Sequence, residues 1–296
     1  MQFSPRGRSK AAPSRTFIEI DRVLRLGDVA RATALARQAL DGGQIHPVLF
    51  NLRAQEKKSN GQMEAALADL MRARELDPKS AVIVSEIAGC LNWLGRHDEA
   101  LAAADRALAI DRKLGDAWYQ KAMAHAALTA YDAARKAFRE SVRRDPTLVE
   151  AQAQLASFEA GQGNFAAARQ HAEAALRLSP NNPTALAAQV SADLAEGKLC
   201  EAEAILQSML RDAALAPPLR AGAAAQLGDL RDLQGQPDKA FGAYREARKT
   251  WAAFYESEIR RRAGEMGNER VRRLAAFVER QPPKAKERRT HDAHRG

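Results

Sequence analysis

A repeat of 34 residues is the feature that most restricts how this chain can fold. One residue marks the start of the turn in every copy, and the last copy follows after a step of 38: Gly27, Gly61, Gly95, Thr129, Gly163, Gly197 and Gly235. Alanine stands five residues after every marker: Ala32, Ala66, Ala100, Ala134, Ala168, Ala202 and Ala240. Seven alanines in one register indicate seven copies of a single small unit.

Residues 149–180 show the character of that unit. Leu155, Ala156 and Phe158 lie near one face of a first helix, and Gly163 with the following asparagine forms a turn. A second helix carries Phe165, Ala168, Ala172 and Ala175 at spacings of three and four, and Pro180 ends it. One such hairpin cannot bury its own apolar face, so the copies must stack on one another.

Further landmarks recur in the same register. They are a late proline, an aromatic residue in the first helix and a large residue in the second: Pro78, Pro146 and Pro180; Phe50 and Trp118; Leu70, Phe138, Leu206 and Tyr244. This helix–turn–helix pattern resembles the tetratricopeptide repeat (TPR) family over roughly residues 14–252. The resemblance implies an all-α fold, a right-handed TPR-like solenoid of about seven repeats with a C-terminal capping helix.

The segments outside the repeats differ from them in composition. Residues 1–14 are polar, basic and poor in large apolar side chains, and are expected to form a disordered leader. Residues 15–250 form the solenoid, and residues 251–281 are expected to form a capping helix or helix pair that covers the last repeat. Residues 282–296 follow two prolines and are expected to be a disordered basic tail.

The net charge of +9 lies at the two ends of the chain. Residues 1–26 hold six Arg and Lys against two Asp and Glu, residues 251–296 hold twelve against seven, and the solenoid between them is neutral. A solenoid that binds nucleic acid would carry its positive charge along the repeats, so nucleic acid is an unlikely ligand. With neither a secretory signal nor an apolar run of membrane-spanning length, the sequence favours a cytoplasmic protein.

The sequence contains no pattern that predicts catalysis. A P-loop, a dinucleotide fingerprint and an HExxH motif are all missing, and the histidines and two cysteines do not have the spacing of metal ligands. Paired carboxylates at the starts of second helices fit the positive end of the helix dipole. We therefore expect no catalytic residue, no metal, no cofactor and no enzymatic activity.

Function is then expected from the inner surface, which the first helices line in TPR proteins. Register places polar but nearly uncharged side chains there, without the basic clamp that some relatives use on a peptide's C-terminal carboxylate. This predicts a scaffold that binds a peptide or partner protein in its groove. The predicted groove residues are Asn51, Gln55, Glu86, Trp93, Tyr119, Gln120, Met123, Gln154 and Ser157.

Two alternatives remain open at this stage. The C-terminal part, with the run GDLRDLQGQPDKAFGAYREARKTW, resembles the repeat region of bacterial TPR–sulfotransferase proteins. Because the phosphate-binding loop of the sulfotransferase domain is missing, this chain would be a partner-binding repeat half without transfer activity. The basic ends could instead attach the solenoid to RNA or an anionic membrane. The sequence identifies neither the partner nor the oligomeric state.

Overall fold

The computed structural model describes residues 15–266, with side chains to residue 260. Over these residues it contains fourteen α-helices and no β-strand, which confirms the all-α prediction. The helices follow one another as seven helix–turn–helix pairs and belong to two compact units, Met1–Ala185 and Leu186–Gly296. Within the described residues, no helix combines the length and the apolar character needed to cross a bilayer.

Unit 1 contains five hairpins and unit 2 contains two. The helices of unit 1 are α1 (Arg15–Arg25), α2 (Val29–Asp41), α3 (Pro47–Ser59), α4 (Met63–Leu76), α5 (Ala81–Trp93), α6 (His97–Ile110), α7 (Gly115–Ala127), α8 (Tyr131–Arg144), α9 (Val149–Gly161) and α10 (Phe165–Leu178). Those of unit 2 are α11 (Pro183–Ala195), α12 (Leu199–Arg211), α13 (Pro217–Leu233) and α14 (Pro237–Met266). The first residues of α11, up to Ala185, belong to unit 1.

The seven alanines of the repeat occupy equivalent buried positions. Each lies in the first half of a second helix, and each is at most 1% exposed: Ala32, Ala66, Ala100, Ala134, Ala168, Ala202 and Ala240. A methyl group at this position lets two helix backbones approach closely, while larger neighbours fill the space between hairpins. In unit 1, for example, Leu70 and Ala73 of α4 share a cluster with Ile83 and Ile87 of α5.

The turns inside the hairpins require a left-handed backbone. Six of the marker residues are glycines with φ between +69° and +78°, a region that costs glycine little. Thr129 occupies the same place in the α7–α8 turn with a φ of +59°. The hairpin thus keeps its geometry at a residue for which this conformation is strained, because threonine is β-branched.

Charged side chains also form ion pairs between helices, both within one hairpin and between successive hairpins. Glu159 of α9 is fully buried, and its carboxylate contacts Arg139 at 3.0 Å and Arg135 at 3.5 Å, both from α8. Asp69 of α4 is bound by Arg53 and Lys57 of α3 at 2.7 and 2.8 Å. Burial of these carboxylates is tolerated because each is paired.

The last hairpin differs in detail from its sequence-based description. Its first helix begins at Pro217, with two prolines in the opening turn, where a missing N–H removes no hydrogen bond. Its second helix continues through residue 250 to Met266, so the expected start of the cap lies inside one continuous helix. The remainder of the predicted cap, 267–281, lies outside the described residues, as do the predicted leader and tail.

We expect Thr129→Gly to raise the free energy of unfolding by about 0.5–1 kcal/mol. The left-handed backbone costs a non-glycine residue about 1–2 kcal/mol, and the greater flexibility of unfolded glycine offsets part of the gain. Urea denaturation measures the change. The matched control, Gly163→Ala, places the same backbone strain in the turn of the next hairpin and should lower the free energy of unfolding. A Thr129→Gly protein that is no more stable than wild type would contradict the assignment of strain to Thr129.

Candidate functional site

The first helices of unit 1 are joined to one another by polar side chains. Between α3 and α5, Lys58 forms an ion pair with Glu86. Between α5 and α7, Asn92 donates a hydrogen bond from Nδ2 to the backbone oxygen of Gln120 at 2.9 Å. These links place parts of α3, α5 and α7 on a common surface. We call this surface, together with α9, which follows in the same repeat register, the first-helix face.

A second link between α5 and α7 lies near the start of α7. The hydroxyl of Ser85 donates to Oδ2 of Asp116 at 2.5 Å, and Ser85 itself is buried. Gln120 lies one turn further along α7 and donates from Nε2 to the same carboxylate at 3.5 Å. The side chains of this pair of helices therefore hold each other in fixed positions.

Gln120 also lies directly over Gly89 of α5. A Cβ atom added at Gly89 would come within 3.4 Å of the Gln120 amide group and of no closer atom. The predicted groove residue Gln120 is therefore half-buried and engaged with α5. Its side-chain amide makes long hydrogen bonds: Oε1 accepts from Asn92 Nδ2 of α5 at 3.4 Å, and Nε2 donates to Asp116 of its own helix at 3.5 Å.

Tyr119 and Met123 of α7 lie at the edge of the core. Both are partly buried against a cluster that includes Phe138, whose ring centroid is 6.2 Å from that of Tyr119. Burial raises the pKa of the Tyr119 hydroxyl to about 12, and the nearby carboxylates of Glu150 and Asp116 contribute in the same direction. The Tyr119 hydroxyl therefore stays protonated and lies in the field of two carboxylates from α7 and α9.

The ion pair between Lys58 and Glu86 is partly exposed to water. Burial of Lys58 opposes its charge, but the charge and hydrogen bond of Glu86, with smaller contributions from Cys90 and Asp116, raise the pKa of the amine above its usual value. Lys58 is thus charged and already engaged. Glu86, a predicted groove residue, is correspondingly not free to bind a cation from a partner.

The remaining predicted groove residues differ in accessibility. Gln55 of α3 and Gln154 of α9 are half-buried, and neither side chain makes a hydrogen bond within the part of the chain that the structure describes. Ser157 is exposed, and Trp93 at the end of α5 is 44% exposed. Asn51 is only 5% exposed, and its buried Oδ1 atom accepts no hydrogen bond from residues 15–260.

The sequence-based selection missed four polar residues of this face. Lys58 and Asn92 lie near the ends of their helices, and Asp116 and Glu150 lie in the first turns of α7 and α9. The helical period would have identified them, since residues one turn away from a surface position share its face. Apart from Trp93, the predicted set came from the middle of the first helices and therefore omitted these residues near the helix ends.

Unit 2 repeats this type of link between its own first helices. Gln226 of α13 donates from Nε2 to the backbone oxygen of Ala187 and to the hydroxyl of Ser191, both at 2.8 Å and both on α11.

Among the described residues, no group of three or more His, Cys, Asp and Glu side chains is arranged to hold a metal ion.

Family models identify the repeats. Three models described as tetratricopeptide repeat match residues 59–126, 115–148 and 149–194. Residues 59–194 of this chain are tetratricopeptide repeats. The matched repeats include α5, α7 and α9, so the first helices of these TPR units form most of the first-helix face.

Solved structures share the TPR fold. The chain is similar to pilF of Pseudomonas aeruginosa, with 13% identity and a TM-score of 0.56, covering 75% of this chain and 96% of that one. A TPR protein of Parabacteroides merdae has 16% identity and a TM-score of 0.52, with coverage of 89% and 97%. A TPR protein of Thermus thermophilus has 21% identity and a TM-score of 0.52, with coverage of 61% and 98%.

The comparisons extend to the repeats and no further. A search of curated proteins finds no match. The similarity of the C-terminal part to the repeat regions of TPR–sulfotransferase proteins is not shown and stays a prediction. Attachment through the basic ends also stays a prediction, because most of those residues lie outside the described range.

Replacing Gly89 by alanine should raise the free energy of unfolding by somewhat less than about 1 kcal/mol. Alanine is favoured over glycine inside a helix by about that amount, and the new methyl group would press on the flexible Gln120 side chain. Thermal unfolding measures the change. Gly222→Ala in α13 is the control, because its methyl group would meet no atom within 4 Å and the variant should show the full gain in the free energy of unfolding. Marked destabilisation by Gly89→Ala would show that the Gln120 side chain cannot move.

Proposed function

We propose that the first-helix face of unit 1 binds an extended segment of another polypeptide, and that the protein acts as a non-catalytic interaction scaffold. The observation that carries this proposal is the pair of Gln55 and Gln154, whose amides have no hydrogen-bond partner within the described residues although both are half-buried. Both amides are open to water, so a ligand that replaces this water gains a net of about 0.5–1.5 kcal/mol for each hydrogen bond it forms with them.

A glutamine amide matches the chemistry of a peptide backbone. Its carbonyl oxygen accepts a hydrogen bond from a peptide N–H, and its NH₂ group donates one to a peptide C=O. Ser157 adds an exposed hydroxyl on α9, close in sequence to Gln154. These groups can therefore bind main-chain atoms without selecting strongly for particular side chains.

The face is also held in place before a ligand arrives. Lys58 with Glu86, Ser85 with Asp116 and Asn92 with Gln120 connect three successive first helices through their side chains. Binding to a surface whose helices are already fixed avoids part of the entropy cost of association. Trp93, which is 44% exposed, offers an apolar contact on the same helix as Ser85 and Asn92.

The test begins with the full chain immobilised and a phage-displayed library of random peptides. A peptide enriched by the wild-type chain is synthesised, and its dissociation constant is measured by fluorescence anisotropy. Gln154→Ala should raise the dissociation constant about fivefold, because one hydrogen bond contributes about 1 kcal/mol.

Gln170→Ala is the matched control, since Gln170 is an exposed glutamine of the neighbouring second helix α10. It should leave the affinity unchanged, and both variants should unfold at the wild-type temperature. If no peptide is enriched above an empty support, or if the two variants bind an enriched peptide equally well, the proposed use of this face is wrong.

A further inference from the structure

Successive first helices of unit 1 are linked by side chains at one repeated position. Lys58 near the end of α3 binds Glu86 on α5, and its partner stands 28 residues further along the chain. Asn92 near the end of α5 donates to the backbone oxygen and to Oε1 of Gln120 on α7, again 28 residues further along. In both links a nitrogen donor on the earlier helix reaches an oxygen acceptor on the later one.

The corresponding link between α7 and α9 is missing. The same count along the sequence leads from Ala126 on α7 to Gln154 on α9, so a methyl group replaces the amine or amide donor. In the described chain, no side chain of α7 forms a hydrogen bond with α9, and the Gln154 amide has no hydrogen-bond partner. This junction therefore keeps the acceptor and lacks the donor.

The junction between α7 and α9 also has room for a side chain. Within the described chain α5 and α7 lie in direct contact, whereas α7 and α9, like α3 and α5, make little direct contact. Between α3 and α5 the long side chain of Lys58 spans the gap. Between α7 and α9 the methyl group of Ala126, which is partly buried beside Phe138 and its neighbours, is too short to span it.

The gap between α7 and α9 has one apolar side and one polar side. On α7, Met123 lies one turn before Ala126 and is partly buried in the same cluster. On α9, Ser157 lies one turn after Gln154 and is exposed, while Gln154 is half-buried. A short polar side chain with an apolar stem is the kind of group that fits between these two sides.

We infer that the polypeptide segment bound on the first-helix face inserts an asparagine or glutamine side chain between α7 and α9, where its amide group forms hydrogen bonds with Gln154. The inference rests on the proposed function and adds a residue that the partner must contain. A neutral donor is selected because the acceptor is neutral. Asn92 pairs with the neutral Gln120, whereas the lysine of the series pairs with the carboxylate of Glu86, which compensates its charge.

Gln154 has enough hydrogen-bonding capacity for the main chain and the inserted amide together. A glutamine oxygen accepts two hydrogen bonds and the NH₂ group donates two, so one of each remains when a peptide unit uses the others. Gln226, at the corresponding position of the last repeat, shows such double use. Its Nε2 atom donates both to the backbone oxygen of Ala187 and to the hydroxyl of Ser191.

The random-peptide selection with the full chain tests the inference. Peptides enriched by the wild-type chain should share an asparagine or glutamine at one aligned position. Replacing that residue by alanine in a synthetic copy should raise the dissociation constant about fivefold, the effect of losing one hydrogen bond. With Gln154→Ala the same replacement in the peptide should have no effect, because the two amides act on each other.

Ala126→Gln supplies the missing amide from the protein itself. Glutamine is a good helix former, and its amide would take the place that the ligand amide needs. The variant should therefore bind the selected peptide about fivefold less tightly. Replacing the peptide amide by alanine should then cause no further loss, because the two amides compete for one place.

Ala109→Gln is the matched control. Ala109 is exposed and is the penultimate residue of the second helix α6, as Ala126 is of α7, so the cost to the helix is the same. This control should leave the affinity for the peptide unchanged. Circular dichroism spectra of both variants should match that of the wild-type chain.

The outcomes separate the inference from the function on which it rests. Enriched peptides that share no asparagine or glutamine, or that share a lysine there, and lose affinity with Gln154→Ala would overturn the inference and keep the binding function. A shared amide whose replacement costs the same affinity in the wild-type chain and in Gln154→Ala would also overturn it, whether or not Ala126→Gln folds. Failure to enrich any peptide would overturn both.

Discussion

The close approach of two helices at a buried alanine is the constraint on which this structure depends. Ala100, Ala134 and Ala168 are fully buried, and a methyl group at such a contact lets the second helix of a hairpin approach its neighbours closely. The larger residues that surround the contact, such as Leu70 and Phe138, pack against residues of the adjoining hairpin. A hairpin is therefore incomplete until its neighbour is present, and the first helices are brought side by side as a consequence.

Polar pairing adds specificity to contacts that would otherwise be interchangeable. The position six residues after the turn marker is Leu67 in one repeat, where it packs near Leu91, and Arg135 in another, where it meets Glu159. In unit 2 the equivalent residue is Glu203, and its partner is Arg231 at 2.6 Å. Because the apolar, basic and acidic versions require different partners, replacing Arg135 by the leucine of the other repeat would remove one of the two cations that contact the buried Glu159 carboxylate.

Much of the fold could be predicted from the sequence, because the repeat fixes register. The starts of α3, α5, α7, α9 and α11 follow from counting 34 residues, and the turn at Thr129 could be placed although glycine is missing. The continuous α14 could not be predicted, since the loss of the pattern after residue 250 indicates only that the repeat ends. Proline at 217 was similarly ambiguous, because it can end one helix or begin another. On the candidate face, the repeat register placed Gln55 and Gln154 on the first helices. It could not predict the burial of Asn51 or the hydrogen bonds of Gln120, because these depend on side chains of neighbouring helices that sequence spacing does not specify.

The contacts between helices are confined to partners that are near in sequence, such as α5 with α6 and α7, or α13 with α14. Within each unit the described hairpins are thus connected in series, mainly through neighbours along the chain. If tension were applied across unit 1, the same force would act on every junction, and the weakest would yield first. The left-handed turn at Thr129 lies inside a hairpin and not at such a junction, so its strain would weaken the α7–α8 pair itself and not the connection between hairpins.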